Sequence, residues 1–263
     1  MTKNNAEESI FSKQGKQENL ASEKYWKTSY ESLLLKEAGK NDILRNWLEE
    51  MIPQGKGDFL EIGAYPGRYL PVFGRKGYRI NGIDLFSGVE NELPGWLRRQ
   101  GFETGNFIKG DFIRLIPGQL KFDFVCSHGF VEHFINYKEI ILKHTQLVKY
   151  GGYLVITAPN FNGIWQNKLH RYLDMENLNR HVLEAMNPIE WAQIVKAEGF
   201  EVIFSGYFGV FDFWVDVEKR NYFKQRLIKF INRISPILKK ILPDGSGEYS
   251  PYCGLIAKRL LDG

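Results

Sequence analysis

Short apolar runs alternate with segments of helical period through the middle of this chain. Runs at 58–62, 79–83, 106–109, 122–127 and 152–158 each have the length of a buried strand, and apolar residues three to four apart fill the stretches between them. Two helices, over 21–35 and 42–51, precede the first run, and a helix over 188–198 leads into strands at 201–205 and 252–258. Strand–helix alternation of this kind predicts a parallel sheet covered on both faces. The expected fold class is therefore α/β, a doubly wound and mostly parallel seven-stranded sheet. In such a sheet the crevice lies beyond the C-terminal ends of the strands, where Glu61, Asp84, Asp111 and Ser127-His128 all fall.

The first run carries the most specific chemistry. Phe59-Leu60-Glu61-Ile62 stops at an acid and breaks into Gly63-Ala64-Tyr65-Pro66-Gly67, where glycine lets the backbone turn sharply and approach a ligand. The second run ends at Asp84, 23 residues after Glu61, the spacing of a ribose-binding carboxylate on the neighbouring strand. A dinucleotide loop would need G-x-G-x-x-G. Counted from Gly63, this chain has Tyr65 and Arg68 at the second and third glycines. A carboxylate beside the loop also repels a pyrophosphate, whereas it favours a cationic ligand.

These residues resemble the loop E/D-x-G-x-G-x-G of the class I S-adenosylmethionine-dependent methyltransferases, with Tyr65 in place of the middle glycine. Asp84-Leu85, Gly110-Asp111-Phe112, Phe122 to His128, Glu132-His133 and Val148 to Ile156 follow in the family's order, and small-molecule and glycan-tailoring members are the most similar in character. The resemblance implies a Rossmann-like methyltransferase fold with S-adenosylmethionine as cofactor. It further implies that Glu61 helps to hold the methionine ammonium through the loop formed by Gly63, Tyr65 and Gly67. Asp84 would accept from the ribose hydroxyls, Leu85 would pack on adenine, and Asp111 with the Phe112 amide would meet the adenine edge. Ser127 and His128 would lie near the methionine moiety. Tyrosine tolerates positive φ poorly, so the loop is expected to shift rather than to copy the family's geometry.

The sulfonium is already activated, so the protein's main work is to align the acceptor and exclude water. A hydroxyl acceptor also gains from a base, for which His133 and then His128 are the candidates. His170 and His181 read as ordinary surface residues, although either could meet a substrate. Some quinone methyltransferases bind a divalent metal through E-x-x-E-H; here Gly129 replaces the first acid, and no metal is expected.

A chain of 263 residues is expected to form one domain over 21–263, with residues 1–20 a polar, disordered tail lacking a signal peptide's apolar core. Segments 160–187 and 207–250 read as insertions forming a cap over the crevice. No run is long and apolar enough for a spanning helix, and Cys126 and Cys253 read as buried fillers, so a cytoplasmic protein is expected. No N-P-P-Y-like tetrapeptide points to nucleic acid; the expected partner is a small-molecule acceptor, most simply an oxygen of a sugar or glycan intermediate, free or lipid-linked. Net charge is +4, yet 219–242 alone holds eight Lys or Arg and no acid, on an apolar stripe of helical spacing with Pro236 expected to break or kink it. A basic amphipathic helix suits an anionic membrane surface at the inner membrane face, or a partner, and equally an ordinary packed helix. The competing class is a non-catalytic module in which Tyr65 blocks the cofactor and this helix docks.

Overall fold

The computed structural model describes residues 19–21, 23–30, 34–118, 120–215 and 221–261. Its strands are β1 (Asp58–Ile62), β2 (Arg79–Asp84), β3 (Thr104–Lys109), β4 (Phe122–His128), β5 (Val148–Pro159), β6 (Phe200–Phe208) and β7 (Tyr252–Arg259). They form one sheet in the order β3-β2-β1-β4-β5-β7-β6. β1 to β5 pair in parallel, and β7 runs antiparallel between β5 and β6. This is the expected doubly wound, mostly parallel arrangement, and the order reverses between β1 and β4, which opens the crevice at their C-terminal ends.

Helices α1 (Glu23–Tyr30), α2 (Ile43–Met51), α3 (Leu70–Arg75), α4 (Gly88–Asn91) and α5 (Leu93–Arg99) come before the midpoint. They are followed by α6 (Tyr137–Leu147), α7 (Ile164–Leu173), α8 (Met175–Leu178), α9 (Pro188–Ala197) and α10 (Tyr222–Ile241). The ends are set by local chemistry: Asp42 caps α2 by accepting from the Arg45 amide at 3.0 Å, and Asn187 caps α9, whose first residue is Pro188.

Alternation along the strands sends side chains to two cores. Leu60, Ile62, Val125, Leu154 and Ile156 pack under α6 and α9, with Ile140, Ile141 and the fully buried Trp191. Phe59, Ile80, Phe124 and Val155 face α2, α3 and α5. Cys126 and Cys253 are both buried and free, as expected of fillers. Asn81 is a polar exception in β2. Its amide donates to the Phe59 carbonyl at 2.9 Å, and its oxygen accepts from the Asn106 amide at 2.7 Å, tying three strands together at the register shift between β2 and β3.

A third, smaller cluster joins Leu169 and Leu173 of α7, Phe211, Phe213 and Tyr249 to Leu227, Ile228 and Ile231 of α10. Segments 160–187 and 207–250 thus pack on each other. α10 runs unbroken through Pro236, contrary to the expected break. Both Pro236 and Asn232 are exposed, so water can satisfy the carbonyl that the missing N–H leaves free. The expected helix over 21–35 is shorter, ending at Tyr30. Of the expected tail, residues 1–18 lie outside the described residues, but its end is tied down: Asn19 bridges Phe134, and the Leu20 amide donates to the His133 carbonyl at 2.9 Å.

Candidate active site

A cavity of about 960 Å³ sits beyond the C-terminal ends of β1, β2 and β4. Its floor is the loop after β1. Gly63 and Gly67 have φ of 72° and 76°, the left-handed region that glycine adopts without a side-chain clash. A Cβ on Gly67 would stand 2.6 Å from Leu93 and 2.9 Å from Leu70, and one on Gly63 would stand 3.0 Å from Phe130. Both glycines are therefore required by conformation, and a side chain at either would also press on its neighbours.

Tyr65 keeps a negative φ, since every positive φ among the described residues belongs to glycine. The loop accommodates it by burying the side chain in the cavity wall. Its hydroxyl donates to Glu92 at 3.0 Å and its ring packs between Tyr30 and Phe86, with centroids 5.4 and 4.7 Å away. Tyr65 contributes to the wall rather than filling the cavity, which removes the physical basis for a blocked site.

Two acids define one end of the cavity. Glu61 is buried, its Oε2 has no protein partner among the described residues, and burial followed by the nearby Asp84 holds its carboxyl well above the ordinary value. A buried carboxylate oxygen left unpaired is costly, and a cationic ligand group placed beside it would offset that cost. Asp84, at the tip of β2, accepts from the Tyr65 amide at 3.0 Å and from the Phe86 amide at 2.8 Å. Burial raises it to about 6 although these amides, with that of Leu85, pull it down. Each oxygen retains a lone pair for a hydroxyl donor. Leu85 lines the cavity beside it. Asp111 caps the turn over Phe112–Arg114 through the Ile113 amide at 2.9 Å, and the Phe112 ring turns into the core against Phe130 and His144. Gly110, Asp111, Ile113 and Arg114 line the cavity at this edge.

The strand pleat separates the neighbours Ser127 and His128. His128 points to the Glu61 face; Ser127 points the other way, is fully buried, and bonds His144 Nε2 at 3.0 Å. The Ser127 hydroxyl thus does not reach the cavity, contrary to the expected contact with the methionine moiety. His128 lines the cavity, but both its nitrogens are occupied, Nδ1 with Thr157 Oγ1 at 2.8 Å and Nε2 with Cys126 Sγ at 3.6 Å. Burial lowers it to about 3, and with both nitrogens engaged it offers no lone pair to an acceptor.

His133 closes the other end. Its Nδ1 donates to the Arg180 carbonyl at 2.9 Å, so Nε2 is the unprotonated nitrogen of the neutral ring, and the Gly129 backbone also lies against the imidazole. Burial lowers it to about 4, so the ring is neutral across the physiological range. Its neighbours were not legible in the sequence. Trp26 of α1 meets the His133 ring edge-on at 5.1 Å and His181 lies at 4.7 Å. His181 is half-buried here and donates Nδ1 to the Asn177 carbonyl at 2.7 Å, while His170 is fully buried against Phe161 and Phe213. Neither is the surface residue that the sequence suggested. Glu132, with both carboxylate oxygens buried and without a hydrogen-bond partner among the described residues, is raised to about 8 by burial; its ligand atom and those of His133 and His181 all lie within 4.8 Å of one another.

The roof also departs from expectation. Asn19, Ala21, Trp26 and Tyr30 from the N-terminal segment line the cavity, and no described residue of 160–187 or 207–250 does so. Asn19 at the end of the expected tail, with Ala21 and α1, covers the site, while the expected cap comes near it behind His133, through Arg180 and His181.

Comparison with known proteins agrees with this architecture. A family model described as "Methyltransferase domain" matches residues 35–204. A SAM-dependent methyltransferase from Archaeoglobus fulgidus superposes with a TM-score of 0.54 at 22% identity, covering 82% of this chain and 93% of its own. The YcgJ protein of Bacillus subtilis gives 0.52 at 17%, covering 84% and 98%. An O-methyltransferase family protein from Burkholderia thailandensis gives 0.51 at 15%, covering 84% of this chain and 56% of its own. No curated protein matches in sequence. Because the family model spans well over half of the residues, and because the glycine loop, the strand-tip acids and the sheet order are those of that fold, the chain belongs to the class I S-adenosylmethionine-dependent methyltransferases.

Proposed function

We propose that the chain transfers the methyl group of S-adenosylmethionine to an oxygen of a small acceptor, a sugar or glycan intermediate that is carried on a lipid. The observation that carries the oxygen assignment is the polarity of the cavity: the acids Glu61 and Asp84 on one side, and a neutral imidazole whose Nε2 is unprotonated, His133, on the other. When bound, the cofactor supplies a methyl group already activated by its sulfonium. Glu61 faces the ammonium, Asp84 the ribose hydroxyls, and Leu85 and Asp111 the adenine, within the loop formed by Gly63, Tyr65 and Gly67. His133 receives the acceptor's hydroxyl proton at Nε2, and its orientation is held by the Arg180 carbonyl and the Trp26 ring. Trp26 gives the acceptor end a flat apolar face that excludes water, and Tyr30, stacked on it at 5.5 Å, carries that cover toward the Asp84 end.

The test is incubation of the purified protein with methyl-labelled cofactor and fractionated cell extract, followed by mass spectrometry of every labelled species. The expected product is a saccharide, free or lipid-bound, heavier by one methylene and labile to ether cleavage. Label confined to protein or nucleic acid would overturn the acceptor class.

A further inference from the structure

The apolar residues of α10 do not form one stripe but two. At about 100° per residue, Leu227, Ile231, Ser235, Leu238 and Leu242 share a face, and all but Ser235 belong to or pack against the third cluster with Leu173, Phe211 and Phe213. That stripe is spent on the protein's own fold. Phe223, Phe230, Ile234, Ile237 and Ile241 recur at intervals of seven, four, three and four, and so form a second stripe about a quarter-turn away. Four of these five are 57–79% exposed.

A basic row borders the second stripe on the side away from the cluster: Arg226, Lys229, Arg233 and Lys240 are all exposed. Among the described residues none of Lys229, Arg233 or Lys240 is paired with an acid, whereas Lys239, outside the row, pairs with Asp212 at 3.3 Å. On α7, which packs beside α10, Trp165 and Tyr172 are also 56% and 60% exposed, and Lys224 of α10, at the edge of the covered stripe, lies over the Tyr172 ring at 5.5 Å. Among the described residues no helix is long and apolar enough to cross a membrane.

We infer that this face lies flat on an anionic lipid surface. The second stripe enters the boundary between headgroups and acyl chains, the basic row meets the phosphates, and Trp165 and Tyr172 anchor at headgroup depth. Charge decides between occupants: a second copy of this chain would bring the same uncompensated basic row into contact with itself, while an anionic bilayer complements it. This gives the lipid-linked acceptor of the proposed function a place to be met, and it is tested without acceptor or activity, so its failure would leave saccharide O-methylation standing.

Full-length protein is sedimented with vesicles of phosphatidylcholine alone and of phosphatidylcholine mixed with phosphatidylglycerol. Binding is expected only to the mixture and is expected to weaken as salt rises. Replacing Lys229, Arg233 and Lys240 with Gln should lower the partition coefficient about fivefold each, roughly a hundredfold together. Phe223→Ser, Phe230→Ser and Ile237→Ser together should abolish binding at any salt concentration, since these residues touch no core. Lys40, Lys56 and Lys196 changed to Gln remove the same charge elsewhere and should change binding by no more than about twofold. Equal binding to both vesicle types, no binding to either, or indifference to both sets of changes on α10 would overturn the inference. So would a wild-type dimer by light scattering that the Phe223, Phe230 and Ile237 changes convert to monomer.

Discussion

The cofactor end and the acceptor end of the same cavity are built on different terms. The floor at β1 and β2 is made from one short stretch of chain: a strand, a loop whose two glycines adopt left-handed φ, and at the tip of the next strand Asp84, which accepts from the Tyr65 and Phe86 amides. The acceptor end is assembled from segments far apart in the chain, with Trp26, His133, Arg180 and His181 meeting across more than 150 positions. The difference teaches where variation is tolerated. A cofactor common to many enzymes is held by backbone geometry that only a few residues can adopt. An acceptor peculiar to one enzyme is held by side chains on separable segments, each able to change without disturbing the floor.

The contrast breaks first at His133. His133→Ala should lower turnover by roughly a hundredfold or more, while calorimetry shows cofactor affinity close to wild type. Loss of cofactor binding would show that the two ends are one mechanical unit. Loss of neither would remove His133 from proton transfer. Trp26→Ala, read in the same assay, should raise the acceptor KM and leave cofactor affinity unchanged.

A second measurement sharpens the comparison by pH. Asp84, raised to about 6 by burial, is ionised above that pH, whereas His133 at about 4 and His128 at about 3 remain neutral well below it. Cofactor affinity should therefore fall as pH drops through about 6, and Asp84→Asn should flatten that limb. Asp84→Ala should cost about 1–3 kcal/mol of cofactor binding at neutral pH by leaving the ribose hydroxyls without an ionised acceptor. Histidine ring resonances of His128, His133, His144 and His181 should not titrate between pH 8 and 5. Linkage fixes the sign for the unliganded fold: a carboxyl whose native pKa is raised contributes stability at low pH that is lost as pH rises through about 6 for Asp84 and about 8 for Glu132. Glu132→Gln, which cannot ionise, should thus gain on wild type in thermal stability between pH 6 and 9.

The smallest effect is expected at Tyr65. Tyr65→Phe removes the bond to Glu92 and should cost about 0.5–1.5 kcal/mol of stability, measured by urea unfolding, with cofactor affinity within twofold of wild type. A large change in affinity would mean that the side chain reaches the ligand after all.

The sequence by itself determined the sheet and the floor of the site. Runs such as Phe59 to Ile62 and Phe122 to Ser127 are apolar over the length of a strand, and alternation with helical segments admits few topologies, so strand positions, parallel order and the crevice at the strand tips could all be read in advance. Gly63, Gly67 and Asp84 were legible for the same reason, because backbone conformation and strand-end position are local properties. Only the tertiary structure decided which way adjacent side chains face. Ser127 and His128 are neighbours in sequence, yet the pleat sends one to His144 and the other to the cavity. Nor could periodicity show that the N-terminal segment, rather than 160–187 and 207–250, roofs the site, or that one apolar stripe of α10 is covered by the protein itself while another is left exposed. Those outcomes depend on which distant surfaces meet, and contact between residues such as Trp26 and His133 or Leu173 and Ile231 is set by three-dimensional packing, which leaves no period in the chain.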